Sequence, residues 1–232
     1  PPLRHSHERR ARFRGSTLER EQDTECLFMK DRRSYHHRGG DAPLLGVTIP
    51  EHFAAVARAH GDRAAVIGVP QGRRLSYAEL AGATDELARG LLAAGFGPGD
   101  RVGVWSTNNI EWLLLQMATA RIGAVLVNIN PAYRPKELAY ALEKSEVQGL
   151  FTIPAFRGSD YVGMLRELIP ALDEPAQGAL SCDAYPALRR VVVYDPAAPS
   201  ETRRPAPGFG TWQEVIAAGR EIPAERLAGV SA

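Results

Sequence analysis

Between Ala64 and Tyr194 the chain alternates short apolar runs with stretches of helical periodicity, an order that few folds accommodate. The runs Ala64–Val69, Arg101–Trp105, Ala124–Asn128, Val147–Ile153 and Arg190–Tyr194 read as strands. Most are continuous rather than alternating, as expected where a sheet is covered on both faces. A helix over Ile49–His60 sets Phe53, Val56 and Ala57 on one face, with Pro50 in its first turn. Pro70-Gln71-Gly72 turns a hairpin whose return strand is Arg73–Ser76. Ser76 and Glu79 then form a capping box, opening a helix that keeps Leu80, Thr84, Leu87, Ala88 and Leu91 together. Asn108 or Asn109 caps a further helix through Arg121, with Leu113, Leu114, Met117 and Ile122 inside. Apolar nearly all round, it predicts a helix sandwiched in the core. Pro135–Lys144 and Ser159–Ile169 supply two more helices. After a Pro-rich loop over Pro196–Gly210, Thr211 and Glu214 cap a last one. Such alternation builds βαβ units, so the expected class is α/β: a layered, mainly parallel sheet with flanking helices.

At 232 residues, with 44% hydrophobic and 24% charged side chains, the chain can bury a core without disulfides. Cys26 and Cys182 lie far apart and share no metal-ligand spacing. No apolar run is long enough for a membrane span, and a cytoplasmic protein is expected. Charge is uneven: residues 1–40 hold ten Lys/Arg against six Asp/Glu, and the remainder holds 18 against 21. This basic, apolar-poor segment predicts a disordered extension, and nucleic-acid binding ranks last among the readings. His5, His7, His36 and His37 fall within it without a carboxylate or cysteine at ligand spacing. The first methionine is Met29, so residues 1–28 are expected to precede the native start. A transit peptide is the competing idea, which the six acids oppose.

Gly95-Phe96-Gly97-Pro98-Gly99 imitates a dinucleotide-binding fingerprint, but a helix precedes it and a strand follows. That reverses the required context, and the segment reads as a helix stop and tight turn. Trp105 and Trp112 read as core residues rather than the lining of an acyl pocket. The polar run from Asn128 to Arg134 leaves a strand at the edge where α/β proteins bind ligands, and it serves equally well as strand-to-helix punctuation.

The blocks LSYAEL, GFGPGDRVGVW and NNIEWLLLQMATARIGAVLVNINPAYRPKELAYALEKS occupy Leu75–Ser145, with a further echo in Phe156–Tyr161. In this order they resemble the N-terminal region of AMP-forming acyl-CoA synthetases of the fatty-acid-activating type, within the adenylate-forming superfamily. The resemblance spans about Ser34 to Ala232. It implies the leading part of the large N-terminal domain, with residues 41–232 as an incomplete AMP-binding synthetase domain. For the parent enzyme it implies ATP with Mg2+, coenzyme A, and a fatty or other carboxylic acid as substrate. It also implies a coenzyme A entrance near Ala132, Tyr133 and Arg157, where a guanidinium offers a planar fork of donors to phosphate.

The family's phosphate loop resembles Thr-Ser-Gly-Thr-Thr-Gly-x-Pro-Lys-Gly, whose backbone N–H groups and lysine hold the departing pyrophosphate. Here the lysines are Lys30, Lys136 and Lys144, and none sits in a Gly/Ser/Thr-rich stretch. The later ATP, magnesium and ribose motifs and the C-terminal lysine are missing as well, so no catalytic residue, metal site or cofactor is assigned to these residues alone. The expectation is a synthetase portion that is inactive and marginally soluble without the remainder. A stand-alone acyl- or coenzyme A-binding module derived from such an enzyme is the alternative.

Overall fold

In the computed structural model, residues 45–174 and 179–230 are described. Val47–Ala232 separates as one compact unit from Pro1–Gly46, so the expectations on residues 1–40 lie outside the described residues.

The chain enters the second unit through helix α1 (Ile49–His60), whose N-terminus is closed by Thr48 and Glu51 in a reciprocal capping box. A short antiparallel hairpin follows, β1 (Ala64–Gly68) and β2 (Arg73–Ser76), joined through a 3-10 turn at Val69–Gln71. Helix α2 (Tyr77–Ala93) starts at the Ser76/Glu79 capping box and buries Leu80, Thr84, Leu87, Ala88, Gly90 and Leu91. Gly95 and Gly99, with φ of 87° and 81°, then turn the chain into β3 (Arg101–Trp105), so this segment is the stop and turn expected of it.

The central sheet is wholly parallel. After β3 come α3 (Ile110–Arg121), β4 (Val125–Ile129), α4 (Pro135–Ser145) and β5 (Gly149–Thr152). A two-residue-per-arm hairpin, β6 (Ala155–Phe156) and β7 (Ser159–Asp160), leads to α5 (Tyr161–Leu168). Then follow β8 (Arg190–Val193), β9 (Phe209–Thr211), α6 (Trp212–Gly219) and α7 (Ala224–Ala228). The strand order is β4-β3-β5-β8-β9, and every neighbouring pair runs parallel. The chain steps outward from β3 to β4 and then back across to β5. Right-handed crossovers in opposite directions set α3 and α4 on opposite faces of the sheet. Strands β5 and β8 are accordingly buried almost throughout.

Close backbone approaches tighten this packing. A Cβ on Gly90 would sit 2.5 Å from the Val215 carbonyl oxygen, and one on Gly219 would sit 2.5 Å from the Gly90 nitrogen. Helices α2 and α6 therefore meet at glycine, closer than side chains allow. Gly149 plays the same part against Phe96, whose ring lies 2.3 Å from where a Cβ would be.

Three sequence expectations are corrected. Helix α5 begins at Tyr161, not Ser159, because Ser159 and Asp160 pair back onto Ala155 and Phe156, and Asp160 caps the helix by accepting from Gly163 N–H at 2.9 Å. Helix α3 is not enclosed all round: Leu113 and Met117 are half-buried and Gln116 is exposed, while Glu111 is buried. The end of the Pro-rich loop is a strand, since Phe209–Thr211 adds to the edge of the sheet beside β8.

Candidate functional site

The reversal of strand order between β4, β3 and β5 makes a topological switch point, and α/β sheets bind ligands outside the carboxyl ends of strands at such points. Trp105 ends β3 and Thr152 ends β5, in register with each other. The Thr152 hydroxyl donates to the Trp105 carbonyl at 3.0 Å, which fastens the two strand ends. Trp105 is fully buried, and the Tyr161 ring stacks on it with centroids 3.7 Å apart and planes 5° from parallel.

This stacked pair grips the loop that follows β4. Trp105 Nε1–H donates to the Asn130 carbonyl at 3.1 Å, and the Tyr161 hydroxyl donates to the Pro131 carbonyl. Burial pushes the Tyr161 phenol above its ordinary pKa, against the opposing pull of Arg134, so it remains a donor at neutral pH. Asn130 completes the turn: its Oδ1 accepts from Ala132 N–H at 2.9 Å, and its carbonyl accepts from Tyr133 N–H at 3.1 Å. Arg134 Nη1 reaches across to the Ser159 hydroxyl at 3.0 Å.

The sequence-assigned residues fall on these two segments. Ala132 is exposed at the crest of the β4–α4 loop, and Tyr133 is half-buried against the core. Arg157 is exposed at the tip of the β6–β7 hairpin, its guanidinium 5.1 Å from the centroid of the Phe156 ring. The tip is a two-residue turn with both central residues left-handed, Arg157 at φ 47° and Gly158 at φ 76°. The Arg134–Ser159 and Tyr161–Pro131 hydrogen bonds join the loop to the hairpin and α5, so the two segments share one rim.

At this edge the sequence marked Asn109 only as a helix cap, which it is, and passed over Ser106. Ser106, directly after β3, is buried and accepts from Asn109 Nδ2 at 2.9 Å. Asn109 caps α3 by accepting from Trp112 N–H at 2.8 Å, and the Tyr194 hydroxyl lies 3.4 Å from the same oxygen. Burial drives the Tyr194 phenol far above the usual range, so it stays neutral. The run Ser106–Asn109 is polar like Asn128–Arg134 and likewise follows an apolar strand run, so the same signal marks it. The second cluster has no such signal. Buried Glu111 accepts from Arg73 Nη1 at 2.5 Å and Gln71 Nε2 at 2.8 Å. Gln71 also donates to the Pro196 carbonyl at 2.8 Å, pinning the β1–β2 hairpin to the loop after β8.

Among the described residues no group of three or more His, Cys, Asp or Glu could hold a metal ion. What the rim offers is a rigid loop with two arginines, Arg134 and Arg157, on its flank.

A family model described as "AMP-binding enzyme" matches residues 53–224. The mitochondrial medium-chain acyl-CoA ligase ACSF2 of Mus musculus is 34% identical over 186 residues, which is 80% of this chain and 29% of that protein. The putative acyl-CoA synthetase YngI of Bacillus subtilis is 38% identical over 151 residues, 65% of this chain and 28% of its own length. This chain thus spans well under a third of these relatives. Among solved structures, the anthranilate CoA ligase AuaEII in complex with anthranoyl-AMP superposes with a TM-score of 0.59 at 17% identity, covering 79% of this chain and 30% of that one. The N-terminal domain of FACL13 from Mycobacterium tuberculosis gives 0.54 at 18%, covering 77% and 36%. At such identities the likeness is one of fold.

Proposed function

Because the chain belongs to the AMP-binding enzymes, we propose that it is the N-terminal portion of an AMP-dependent acyl-CoA synthetase that activates a fatty or other carboxylic acid. The observation carrying this reading is the 34% identity to a medium-chain acyl-CoA ligase across 80% of the chain. In the whole enzyme the acid's carboxylate would attack the α-phosphorus of ATP, with Mg2+ on the departing pyrophosphate, and coenzyme A would then displace AMP. This portion contributes the sheet that carries the site, and its β4–α4 loop and β6–β7 hairpin form one wall of the coenzyme A entrance. Ala132, Tyr133 and Arg157 belong to that wall, with Arg157 meeting a nucleotide phosphate. By itself the chain is inactive in this reading, since none of its three lysines stands in a phosphate-loop context. A cytoplasmic location belongs to the same proposal; recovery in the mitochondrial fraction of fractionated cells would overturn that part.

The test is a chimaera. Residues 53–224 replace the matching segment of the mouse medium-chain ligase, and thioester formation from a medium-chain acid, ATP and coenzyme A is measured. Activity within about tenfold of the parent is expected, that is, a barrier raised by no more than about 1.4 kcal/mol. A folded chimaera that adenylates no carboxylic acid would overturn the assignment. Saturable coenzyme A binding by the 232-residue chain would favour the stand-alone module instead.

A further inference from the structure

We propose that Tyr161 is a positioning residue for coenzyme A, one hydroxyl that sets the β4–α4 loop against the β6–β7 hairpin; this rests on the synthetase reading above.

The first reason is the way the loop is held. Asn130, Ala132 and Arg134 are exposed, yet the loop backbone is tied to two fully buried rings. The Asn130 carbonyl accepts from Trp105 Nε1–H at 3.1 Å, and the Pro131 carbonyl accepts from the Tyr161 hydroxyl. Among the described residues no other donor reaches the Pro131 carbonyl, and proline has no N–H with which to make a second tie. Without the Tyr161 hydroxyl, the loop keeps the Trp105 anchor and the local turn that Asn130 makes with Ala132 and Tyr133.

The second reason is the rigidity of the donor. The Tyr161 ring stacks on Trp105 with centroids 3.7 Å apart and planes 5° from parallel. Its backbone N–H is fixed as well, donating to the Pro154 carbonyl at 3.0 Å. A phenol held at ring and backbone cannot follow the loop if the loop shifts, so the bond fixes where the loop stands.

The third reason is the place of Tyr161 in the chain. It directly follows β7, so the residue that bonds the loop is also the one on which the hairpin ends. The other tie between the two segments, Arg134 Nη1 to the Ser159 hydroxyl at 3.0 Å, is exposed and competes with water. Ala132 and Tyr133 on one segment and Arg157 on the other are thus spaced chiefly through one buried ring. A ligand that spans both segments loses affinity when they part, and a step that uses neither does not.

The experiment makes Tyr161→Phe, which keeps the ring and its stack and removes only the hydroxyl. In the chimaera with the mouse ligase, KM for coenzyme A is expected to rise about tenfold, while kcat and acid-dependent ATP–pyrophosphate exchange change by less than about twofold. An unchanged KM for coenzyme A would overturn the proposal. So would an equal loss of pyrophosphate exchange, which marks a merely structural residue. In the 232-residue chain, the same substitution should speed amide hydrogen exchange at Ala132 and Tyr133 by about tenfold and leave the β3 and β5 amides unchanged. Equal exchange at Ala132 and Tyr133 in the two proteins would show that the hydroxyl does not hold the loop, and the proposal would fall. An unsubstituted chimaera that adenylates no carboxylic acid would instead overturn the synthetase reading, and the role toward coenzyme A with it, while the exchange measurement still decides the clamp.

Discussion

Arg157 carries the sharpest conflict between local preference and position. Its φ of 47° lies where an L residue other than Gly, Asn or Asp pays about 1–2 kcal/mol, and the two-residue hairpin demands it. Contact with the Phe156 ring returns about 0.5–1 kcal/mol. Arg157→Asn should therefore leave the unfolding free energy within about 1 kcal/mol of wild type, because asparagine accepts the left-handed region. If Arg157 meets a nucleotide phosphate, the same substitution should weaken coenzyme A in the chimaera by about tenfold, the cost of a charged hydrogen bond. Urea unfolding and the KM for coenzyme A check the two halves. An unchanged KM would reduce Arg157 to a turn residue. Glycines show the opposite economy: Gly90, Gly149 and Gly219 are explained by what a Cβ would strike, which no property of the local sequence reveals.

At the scale of elements, three helices open with the same reciprocal device: Thr48/Glu51, Ser76/Glu79 and Thr211/Glu214. In the first two, the backbone N–H of the capping residue and its hydroxyl hold the glutamate below the ordinary carboxylate range. Burial raises Glu214, but hydrogen bonds from Arg204 and Thr211 outweigh it and leave that carboxyl lowered as well. A depressed carboxylate pKa stabilises the fold fully above the unfolded value, and the contribution disappears as pH falls through the folded one. Urea midpoints should accordingly drop below a pH of about 4.5. Glu79→Gln keeps a side-chain acceptor for Ser76 N–H but cannot titrate, so its acid limb should be shallower than that of wild type. Identical slopes would show that the capping glutamates do not govern acid sensitivity.

For the whole molecule, the parallel sheet leaves β4 and β9 at its edges. Strand β4 is short, lacks an edge charge, and exposes Val125 by 51%. Unpaired edge groups beside an apolar side chain template association with a second chain. Val125→Lys should lower concentration-dependent light scattering of the 232-residue chain and leave its circular dichroism unchanged. Equal scattering would place the association elsewhere, with the exposed Ile67 and Val69 of the β1–β2 hairpin next to be tested.

The order of strands and helices, the parallel α/β class, the capping boxes and the Gly95–Gly99 turn were all legible in the chain itself. Each is set by interactions within a few residues, through apolar period, side-chain capping or backbone conformation. The polar run at Asn130–Arg134 was legible for the same reason. What closes over it was not: the Trp105–Tyr161 stack joins residues 56 positions apart, and the Gln71–Glu111 bond spans 40. The start of α5 and the strand Phe209–Thr211 were likewise decided by partners elsewhere, a hairpin arm and the edge of β8. Glu111 is a charge that the sequence left unexplained on a helix read as enclosed, and only the arrival of Arg73 and Gln71 from the hairpin makes its burial tolerable. Local periodicity thus fixes which elements form, whereas burial and pairing depend on distant segments that meet only when the sheet assembles.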